Sequence, residues 1–431
     1  MERLTPEDAA FLRMENEISA MHSVSLAVFE PDEPPFDDIV ARVERSITQV
    51  PRLRQRVMEV PFDIGRPVWI EDPGFALDYH VRHTGLPEGS GDLAIANLAG
   101  RILSQRLDRG KPLWEVWVVS GLPDKRWAVL SKSHHAIVDG VSGTDPLAVI
   151  MDQSQKDRRH KDRWEPDPLP SPIRLTADAM VGLAVNPVER YRLARQAVVR
   201  PRRVLRGLQS VITPEPAAKA LLGRIGTHRR WRGVDVDRHT IDEISAATGA
   251  PTGAVVLALI CAGFRAVLEH TAEAPDRIEV LLPLASTTGS MAAPTARRIS
   301  LPVGEPDAFT RLSIIAAAIG VTGWSHVHPT GFTTPTVAAL GARTLTRRGM
   351  QEPEAHTVSV LAGLPEAPQS LLDRPMIATF PVLPLASRVR VATGAYIGTD
   401  HAWFGVTGAF EAADEVDRLC AGLQSGLEEL R

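Results

Sequence analysis

Hydrophobic and polar positions follow helical spacing in some segments and strand spacing in others through the first third of the chain. Apolar residues recur at the spacing of an amphipathic helix in residues 37–49 and again in residues 92–107. Asp92 is expected to cap the second helix. Two apolar runs of strand length, residues 113–119 and 127–133, are separated by a linker short enough for a hairpin. This pattern predicts a mixed α/β domain.

The second half of the chain repeats this mixture in a different order. Residues 240–248 and 252–270 have helical spacing, residues 277–284 have the pattern of a strand, and residues 376–410 predict two or three more strands. An amphipathic helix is expected over residues 413–430. Because a chain of 431 residues exceeds one ordinary core, we predict two domains.

A change of composition near Arg158 separates the two halves. Prolines and basic residues indicate an exposed connector there, and helical spacing follows over residues 175–209. We therefore predict an N-terminal domain, a helical connector and a C-terminal domain, at residues 1–165, 166–230 and 231–431.

Composition narrows the class of protein. Hydrophobic residues make up 44% of the chain and charged residues 23%, which is typical of folded soluble proteins, and the net charge of −4 gives no overall attraction to nucleic acid. The two cysteines, Cys261 and Cys420, lack metal-ligand spacing, so no metal and no disulfide framework are expected. This use of cysteine is consistent with a protein of the reducing cytoplasm. The polar start is unlike a secretory signal, and the longest apolar run, residues 254–264, is too short to span a membrane.

Residues 131–140, Ser-Lys-Ser-His-His-Ala-Ile-Val-Asp-Gly, are the strongest candidate for chemistry. If the preceding strand continues through the pair, His135 shares a face with the two serines, whereas His134 points the other way with the lysine. Asp139 can return beside His135 if the chain turns helically, and Gly140 allows a tight turn. A neutral imidazole in a fixed tautomer suits a general base. A hydrogen-bonded core histidine before an ordinary Asp-Gly turn is the equal alternative from the residues alone.

The segment from His134 to Gly140 resembles the HHxxxDG motif of the coenzyme-A-dependent acyltransferase superfamily. Residues 112–115, Pro-Leu-Trp-Glu, are similar to the PLW element of bacterial wax ester synthase/diacylglycerol acyltransferases. Residues 4–12, the following Met21-His22 and residues 51–56 also resemble that family. The resemblance is strong over most of residues 1–150 and weak beyond them.

This resemblance implies two chloramphenicol-acetyltransferase-like α/β sandwich domains, joined by the Arg-rich connector, with the active site in a channel between them. It implies that His135 is the general base, that His134 is a positioning residue, and that Asp139 and Gly140 secure the loop. The residues expected to contact substrate are Trp114, Ser142, Arg229 and Arg230.

The implied reaction moves a fatty acyl group from coenzyme A to diacylglycerol or a long-chain alcohol. Acyl-CoA would be a substrate, and no cofactor is expected. Such an enzyme is expected in the cytoplasm, in peripheral contact with a membrane or lipid droplet. The sequence does not indicate an oligomeric state.

The second half departs from the family pattern. Gly253-Ala254 stands where the family carries an Asn-Asp pair, residues 285–298 replace a Gly-Asn-Arg-like segment, and residues 359–365 are a reduced Ser-Asn-Val-Pro-Gly-Pro element. Two alternatives follow. One is a non-catalytic homologue that binds lipid or a partner protein, and the other is an acyltransferase that uses carrier-protein thioesters.

Two further features have more than one interpretation. Residues 190–206 hold seven arginines and no acidic residue, which suits a basic surface on anionic lipid, a site for coenzyme A phosphates, or a solvated helical face. Glu115 lies in an apolar strand and is expected to pair with a basic neighbour such as Lys132.

Overall fold

Two six-stranded sheets form the centre of the computed structural model. The structure describes residues 2–48, 50–87, 89–137, 146–152, 168–185, 220–271, 274–284, 295–322, 356–364, 367–385 and 388–431.

The first sheet carries the histidine motif near its centre. Its strands, in spatial order, are β12 (Ser370–Leu371), β13 (Arg374–Val382), β2 (His22–Phe29), β7 (Trp127–His134), β6 (Trp114–Ser120) and β5 (Val81–Gly85). Neighbours are antiparallel except for the parallel pair β5 and β6. A small sheet beside it has the order β1 (Glu2–Arg3), β4 (Val68–Glu71) and β3 (Gln55–Met58).

The second sheet comes entirely from the second half of the chain. Its spatial order is β10 (Thr295–Leu301), β9 (Ile278–Leu284), β11 (Thr357–Gly363), β14 (Val391–Ile397), β15 (His401–Ala409) and β8 (Arg229–Asp237). The central strand β11 runs parallel to both of its neighbours, and the other pairs are antiparallel.

Helices cover both faces of the first sheet. Those of the first half and connector are α1 (Pro6–Met14), α2 (Phe36–Ile47), α3 (Leu77–His80), α4 (Asp92–Ser104), α5 (Pro146–Ile150) and α6 (Pro172–Val185). The apolar sides of α1, α2 and α5 share one core cluster on one face, and α4 builds a separate cluster on the other. Residues Thr5 and Pro6 start α1, since the Thr5 hydroxyl accepts a hydrogen bond from the Asp8 amide.

The helices of the second half surround one large core. They are α7 (Arg238–Thr248), α8 (Thr252–Leu268), α9 (Ala308–Thr322) and α10 (Ala413–Glu429). Helix α8 is buried along almost its whole length because α7, α9 and α10 all pack against it. Gly422 and Gly426 of α10 bring that helix within close reach of Ala262 on α8.

A seam between α4 and β8 joins the two halves. An added Cβ at Gly100 of α4 would lie 2.7 Å from the carbonyl oxygen of Arg229, so only glycine permits this approach. The Arg229 amide donates to the Ser104 hydroxyl at 2.8 Å. The end of α4 is therefore fixed against the first residue of β8.

The structure confirms the predicted α/β fold class and the predicted order of helices and strands. The helices predicted at 37–49, 92–107 and 413–430 are α2, α4 and α10, and the predicted hairpin joins β6 to β7. The strands expected within residues 376–410 number three among the described residues.

Four expectations are corrected or completed. Gly91 precedes α4 as its cap residue, and Asp92 lies inside the first turn without a capping side-chain bond. The connector helix begins at Pro172 and is described as far as Val185. Strand β8 starts at Arg229, before the predicted boundary at 231. Strand β13, in residues predicted for the second domain, pairs with β2 of the first sheet, and the short β12 pairs with β13.

Within the described ranges, no single helix has both the length and the apolar composition to cross a membrane. The α7–α8 pair, bent by 107°, passes that test by length and composition only.

Candidate active site

Strand alternation sends the two motif histidines to opposite sides of the first sheet. Lys132, on the same face as His134, donates from Nζ to the Ile102 carbonyl of α4 at 2.9 Å. His135 lies on the other side, where its ring centroid is 5.4 Å from that of Phe11 on α1. Strand β7 ends at His134, so it does not continue through the pair as the prediction assumed, and both histidines are buried.

His134 is held in one tautomer. Its Nδ1 accepts a hydrogen bond from the Ala136 amide at 3.0 Å, so the proton of the neutral ring belongs on Nε2. Its own amide donates to the Leu113 carbonyl at 3.0 Å, which ties the end of β7 to the residue before β6. These contacts fit the positioning role expected of His134.

His135 is fixed through the loop before β2. Its amide donates to the Met21 carbonyl at 2.9 Å, and Met21 has a left-handed backbone with φ of 48°. Met21-His22 therefore lies beside the motif, as the resemblance implies. Asp139, Gly140 and Ser142 lie outside the described residues, so their predicted roles stay predictions.

Two buried bases lie on the α4 side of the sheet: His22, which the resemblance places near the site, and Lys132, which was not expected to be a site residue. His22 lies opposite His134 in the β2–β7 ladder, and its Nε2 lies 2.6 Å from the Leu103 carbonyl oxygen. Lys132 donates to the carbonyl groups of Ile102 and Gln105. Both side chains thus bond to carbonyl groups at the end of α4, where helix carbonyls lack some of their intrahelical partners. Strand alternation was the available signal, since it assigns Lys132 to a covered face.

Burial governs the electrostatics of this region. It lowers the pKa of Lys132 from 10.5 to about 8. It also lowers the pKa of His22 well below 6.5, and electrostatic interactions with Lys132, His134 and His135 add to that effect. Because each positive charge disfavours another, a neutral His22 is the favoured state near pH 7.

Glu115 has a different partner from the one expected. Its carboxylate lies 3.3 Å from the Arg82 guanidinium and accepts from Trp117 Nε1 at 3.0 Å. Lys132 is its cross-strand neighbour on β7, but the ammonium group bonds to backbone carbonyls of α4 instead. Glu115 therefore pairs with Arg82, and its charge also raises the pKa of Lys132 against the larger effect of burial.

The three other predicted substrate contacts have structural partners. Trp114 is fully buried, donates to the Leu53 carbonyl at 2.7 Å and stacks on His80. Arg229 donates to the carbonyls of Gly226, His228 and Ile18, the last of which lies in the first half. Arg230 stacks on Phe410, with Cζ 4.3 Å from the ring centroid. Substrate contact by these side chains stays a prediction.

A narrow cleft opens between the halves beside His22. From the first half it is lined by Glu17, Ile18, Ala20, His22, Leu103 and Ser104, and from the second by Thr227, Arg229, Pro384 and Leu385. Burial lowers the pKa of Arg229 to about 10, although Glu411 opposes that shift. The described residues thus bring one histidine and one arginine to the seam, beside the motif.

Two of the departures in the second half include buried positions, whereas residues 285–294 of the third lie outside the described residues. Gly253 and Ala254 form the first turn of α8 and are buried there, so this turn offers no amide or carboxylate side chain in place of the Asn-Asp pair. Ser359 of β11 is also buried, with its hydroxyl 2.5 Å from that of Thr393 on β14. Among the residues that the structure describes, no cluster of three or more histidine, cysteine or acidic side chains is arranged to hold a metal ion.

This chain is similar in sequence and in fold to several known proteins. A probable diacylglycerol O-acyltransferase of Mycobacterium tuberculosis is 27% identical over 453 residues, covering 100% of this chain and 96% of the relative. The wax ester synthase/diacylglycerol acyltransferase of Marinobacter aquaeolei VT8 superposes with a TM-score of 0.67 at 22% identity, covering 99% of this chain and 98% of that one. The first condensation domain of the CDA synthetase shares the fold, with a TM-score of 0.60, 13% identity, and coverage of 99% and 96%.

The family match covers the whole histidine site. The wax ester synthase/diacylglycerol acyltransferase catalytic domain matches residues 4–256, more than half of the chain. That range includes β2, β6, β7 and α4, the elements that hold the two motif histidines and His22. The chain therefore belongs to the wax ester synthase/diacylglycerol acyltransferase family.

Proposed function

We propose that this acyltransferase moves a fatty acyl group from coenzyme A to the hydroxyl group of diacylglycerol or a long-chain alcohol, giving triacylglycerol or a wax ester. The observation that carries the proposal is the buried His134-His135 pair at the end of β7, in a chain of this family. The homologues named diacylglycerol O-acyltransferase support the same reaction class.

In this reaction His135 acts as the general base. It removes the hydroxyl proton while the oxygen attacks the thioester carbon. The carbon–sulfur bond then breaks, and the departing thiolate takes the proton, so the products are an ester and free coenzyme A. Such base catalysis contributes roughly 10²–10⁴-fold in rate. No covalent enzyme intermediate is needed when both substrates bind together.

The residues around His135 hold it ready for this role. Its backbone is tied to Met21, and its neighbour His134 is fixed in a single tautomer by the Ala136 amide. A rigid surrounding reduces the motion that a base must lose before proton transfer. His134 is thus a positioning residue in this mechanism.

One observation favours a second candidate, a non-catalytic homologue that binds lipid or a partner protein. The first turn of α8 has Gly253 and Ala254 where the family carries an Asn-Asp pair, and both are buried. An oxyanion that develops during acyl transfer needs hydrogen-bond donors, and these two side chains supply none.

Peripheral contact with a cytoplasmic membrane or lipid droplet is part of the proposal. Helix α6 packs Leu175 and Ala179 inward but leaves Ile173, Met180 and Val181 exposed. Phe62, in the turn that packs against α6, is 88% exposed. We call these four exposed residues the α6 patch. Residues 190–206 lie outside the described residues, and their seven arginines carry a charge that complements anionic lipid.

The test is thiol release from palmitoyl-coenzyme A by the purified protein, with diacylglycerol, hexadecanol or no acceptor. Acceptor-dependent release that falls at least a hundredfold in His135→Gln, with an unchanged Tm, is the expected result. His401→Gln, at an exposed histidine of the second half, is the control and should retain activity. A silent wild type across acceptors and chain lengths would overturn acyl-CoA transfer in favour of a binding or carrier-dependent role.

A further inference from the structure

His135 is held between α1 and the first residues before β2. The Phe11 ring on α1 lies with its centroid 5.4 Å from that of the imidazole. The Met21 carbonyl accepts the hydrogen bond of the His135 amide at 2.9 Å. Residues 15–21 connect these two contacts, since α1 ends at Met14 and β2 begins at His22. We call residues 15–21 the α1–β2 segment, and its course determines where Met21 meets the proposed base.

Side-chain and backbone contacts give the α1–β2 segment one shape. The Asn16 side-chain oxygen accepts hydrogen bonds from the amides of Ile18 and Ser19, each at 2.9 Å. Met21 has a φ of 48°, in the left-handed region that residues other than glycine rarely adopt. Such a backbone conformation persists only where the surrounding structure holds it. The carbonyl group that receives the His135 amide therefore depends on the contacts of this segment.

One arginine of the second half reaches into the α1–β2 segment. Arg229, the first residue of β8, donates from Nη2 to the Ile18 carbonyl. Its Nη1 donates to the carbonyls of Gly226 and His228, at 2.7 and 3.0 Å, and the residue is buried. The guanidinium group is therefore held in one position, and it links the second half to a carbonyl group shortly before Met21.

We propose that Arg229 is a positioning residue for His135, because it holds the Ile18 carbonyl and thereby keeps the Met21 carbonyl where the His135 amide donates to it. The effect on catalysis rests on the proposed function, in which His135 is the general base. A base displaced by a fraction of an ångström loses rate, since proton transfer requires an aligned hydrogen bond. The three bonds of the guanidinium group to backbone carbonyls favour this role over the substrate contact expected from the sequence.

Two pairs of variants separate positioning from general stability. Arg229→Met removes the donors and keeps an apolar stem of similar length. Arg265→Met is its control, because Arg265 also donates to backbone carbonyls, those of Val303 and Glu305, but entirely within the second half. Asn16→Ala removes both bonds of the side-chain oxygen in the α1–β2 segment, whereas Asn16→Asp keeps an oxygen that can accept them.

The first measurement is kcat and KM from thiol release with palmitoyl-coenzyme A and hexadecanol, at a temperature well below the Tm of every variant. We expect Arg229→Met and Asn16→Ala to lower kcat about tenfold with both KM values unchanged, because the base is displaced while the substrates still bind. Arg265→Met and Asn16→Asp should keep the wild-type kcat. A wild-type kcat in Arg229→Met would overturn the proposal, and so would a rise in KM without a fall in kcat, which would assign Arg229 to substrate binding.

The second measurement needs no turnover. The imidazole resonances of His135 are followed by NMR in protein made with isotope-labelled histidine, and they are assigned by their absence in His135→Gln. They should shift in Arg229→Met and Asn16→Ala and keep their wild-type positions in the two controls. If the wild type releases no thiol, these shifts still support positioning by Arg229 and contradict only the proposed function. Unshifted resonances in Arg229→Met overturn the positioning role whether or not thiol is released.

Discussion

Gly405 lies directly against the carbonyl group of Pro381. A Cβ atom added to Gly405 would overlap that oxygen, far inside any non-bonded contact. Gly405 belongs to β15 of the second sheet, whereas Pro381 belongs to β13, which pairs with β2 in the first. Because Gly405 has no side chain, β13 can pass over the second sheet before it pairs with β2 in the first.

Gly405→Ala should destabilise the protein by about 3 kcal/mol, because β13 must shift to admit the methyl group. Gly320→Ala is the matched control, since Gly320 lies in the exposed part of α9 and a Cβ there meets nothing within 4 Å. Chemical denaturation gives both free energies of unfolding. Equal values for the two variants would contradict the close approach at 405.

Acid should destabilise the protein between pH 6.5 and 4 through His80. This ring is buried, stacks on Phe75 and Trp114, and lies with Nδ1 2.8 Å from the Trp114 carbonyl oxygen. Burial lowers its pKa from 6.5 to about 4, so in this window the unfolded chain binds a proton that the folded chain does not. Stability therefore falls as the pH falls, by about 3 kcal/mol for this group.

His80→Phe should reduce the slope of the unfolding free energy against pH over that window. His239→Gln, at a histidine that is 78% exposed, should leave the slope as in the wild type. Parallel pH profiles for the wild type and His80→Phe would refute the role of His80.

Lys132 should produce a pH dependence in the alkaline range. Its pKa is about 8 in the folded protein, against 10.5 for an ordinary lysine, so between these values the unfolded state binds the additional proton. Stability therefore rises from pH 8 to 10.5, by about 3 kcal/mol for this group. Lys132→Met should lack the rise, whereas Lys125→Met, at an exposed position, should keep it. An identical rise in Lys132→Met would exclude Lys132 as its source.

Binding to anionic vesicles should depend on the α6 patch. Phe62→Ser combined with Ile173→Ser removes its two most exposed apolar side chains and should lower co-sedimentation with phosphatidylglycerol vesicles about tenfold. Phe309→Ser is the control, because Phe309 is 49% exposed on α9, away from the patch. Equal losses in the control and the double variant would argue against a specific lipid-facing surface.

Local periodicity in the sequence predicts most of the helices and strands. The apolar stripes of α2, α4 and α10 and the alternation in β7 are properties of short segments, so the sequence predicts them directly. The pairing of β13 with β2 joins residues far apart in the chain, and no local pattern distinguishes a strand that stays in its own half from one that crosses. The sequence therefore predicts a strand near residue 376 but not the sheet that it joins.

In the candidate site, too, some features follow from local sequence and others depend on the folded chain. The motif and strand alternation identified His134 and His135 and their opposite directions. The partners of Glu115 and the tautomer of His22 depend on α3, β5 and α4, which the chain brings to the sheet only on folding. Lys132 could have been recognised as buried from alternation alone, but its carbonyl partners at the end of α4 could not.

Strand β13 is synthesised long after β2, the strand with which it pairs. Until residues 374–382 are synthesised, β2 has no partner on that side, and an unpaired strand edge is a template for association with other chains. The strand that begins with His22 therefore gains its last neighbour only near the end of translation. A prematurely terminated or nicked chain would expose a β edge, rather than leave a smaller working enzyme.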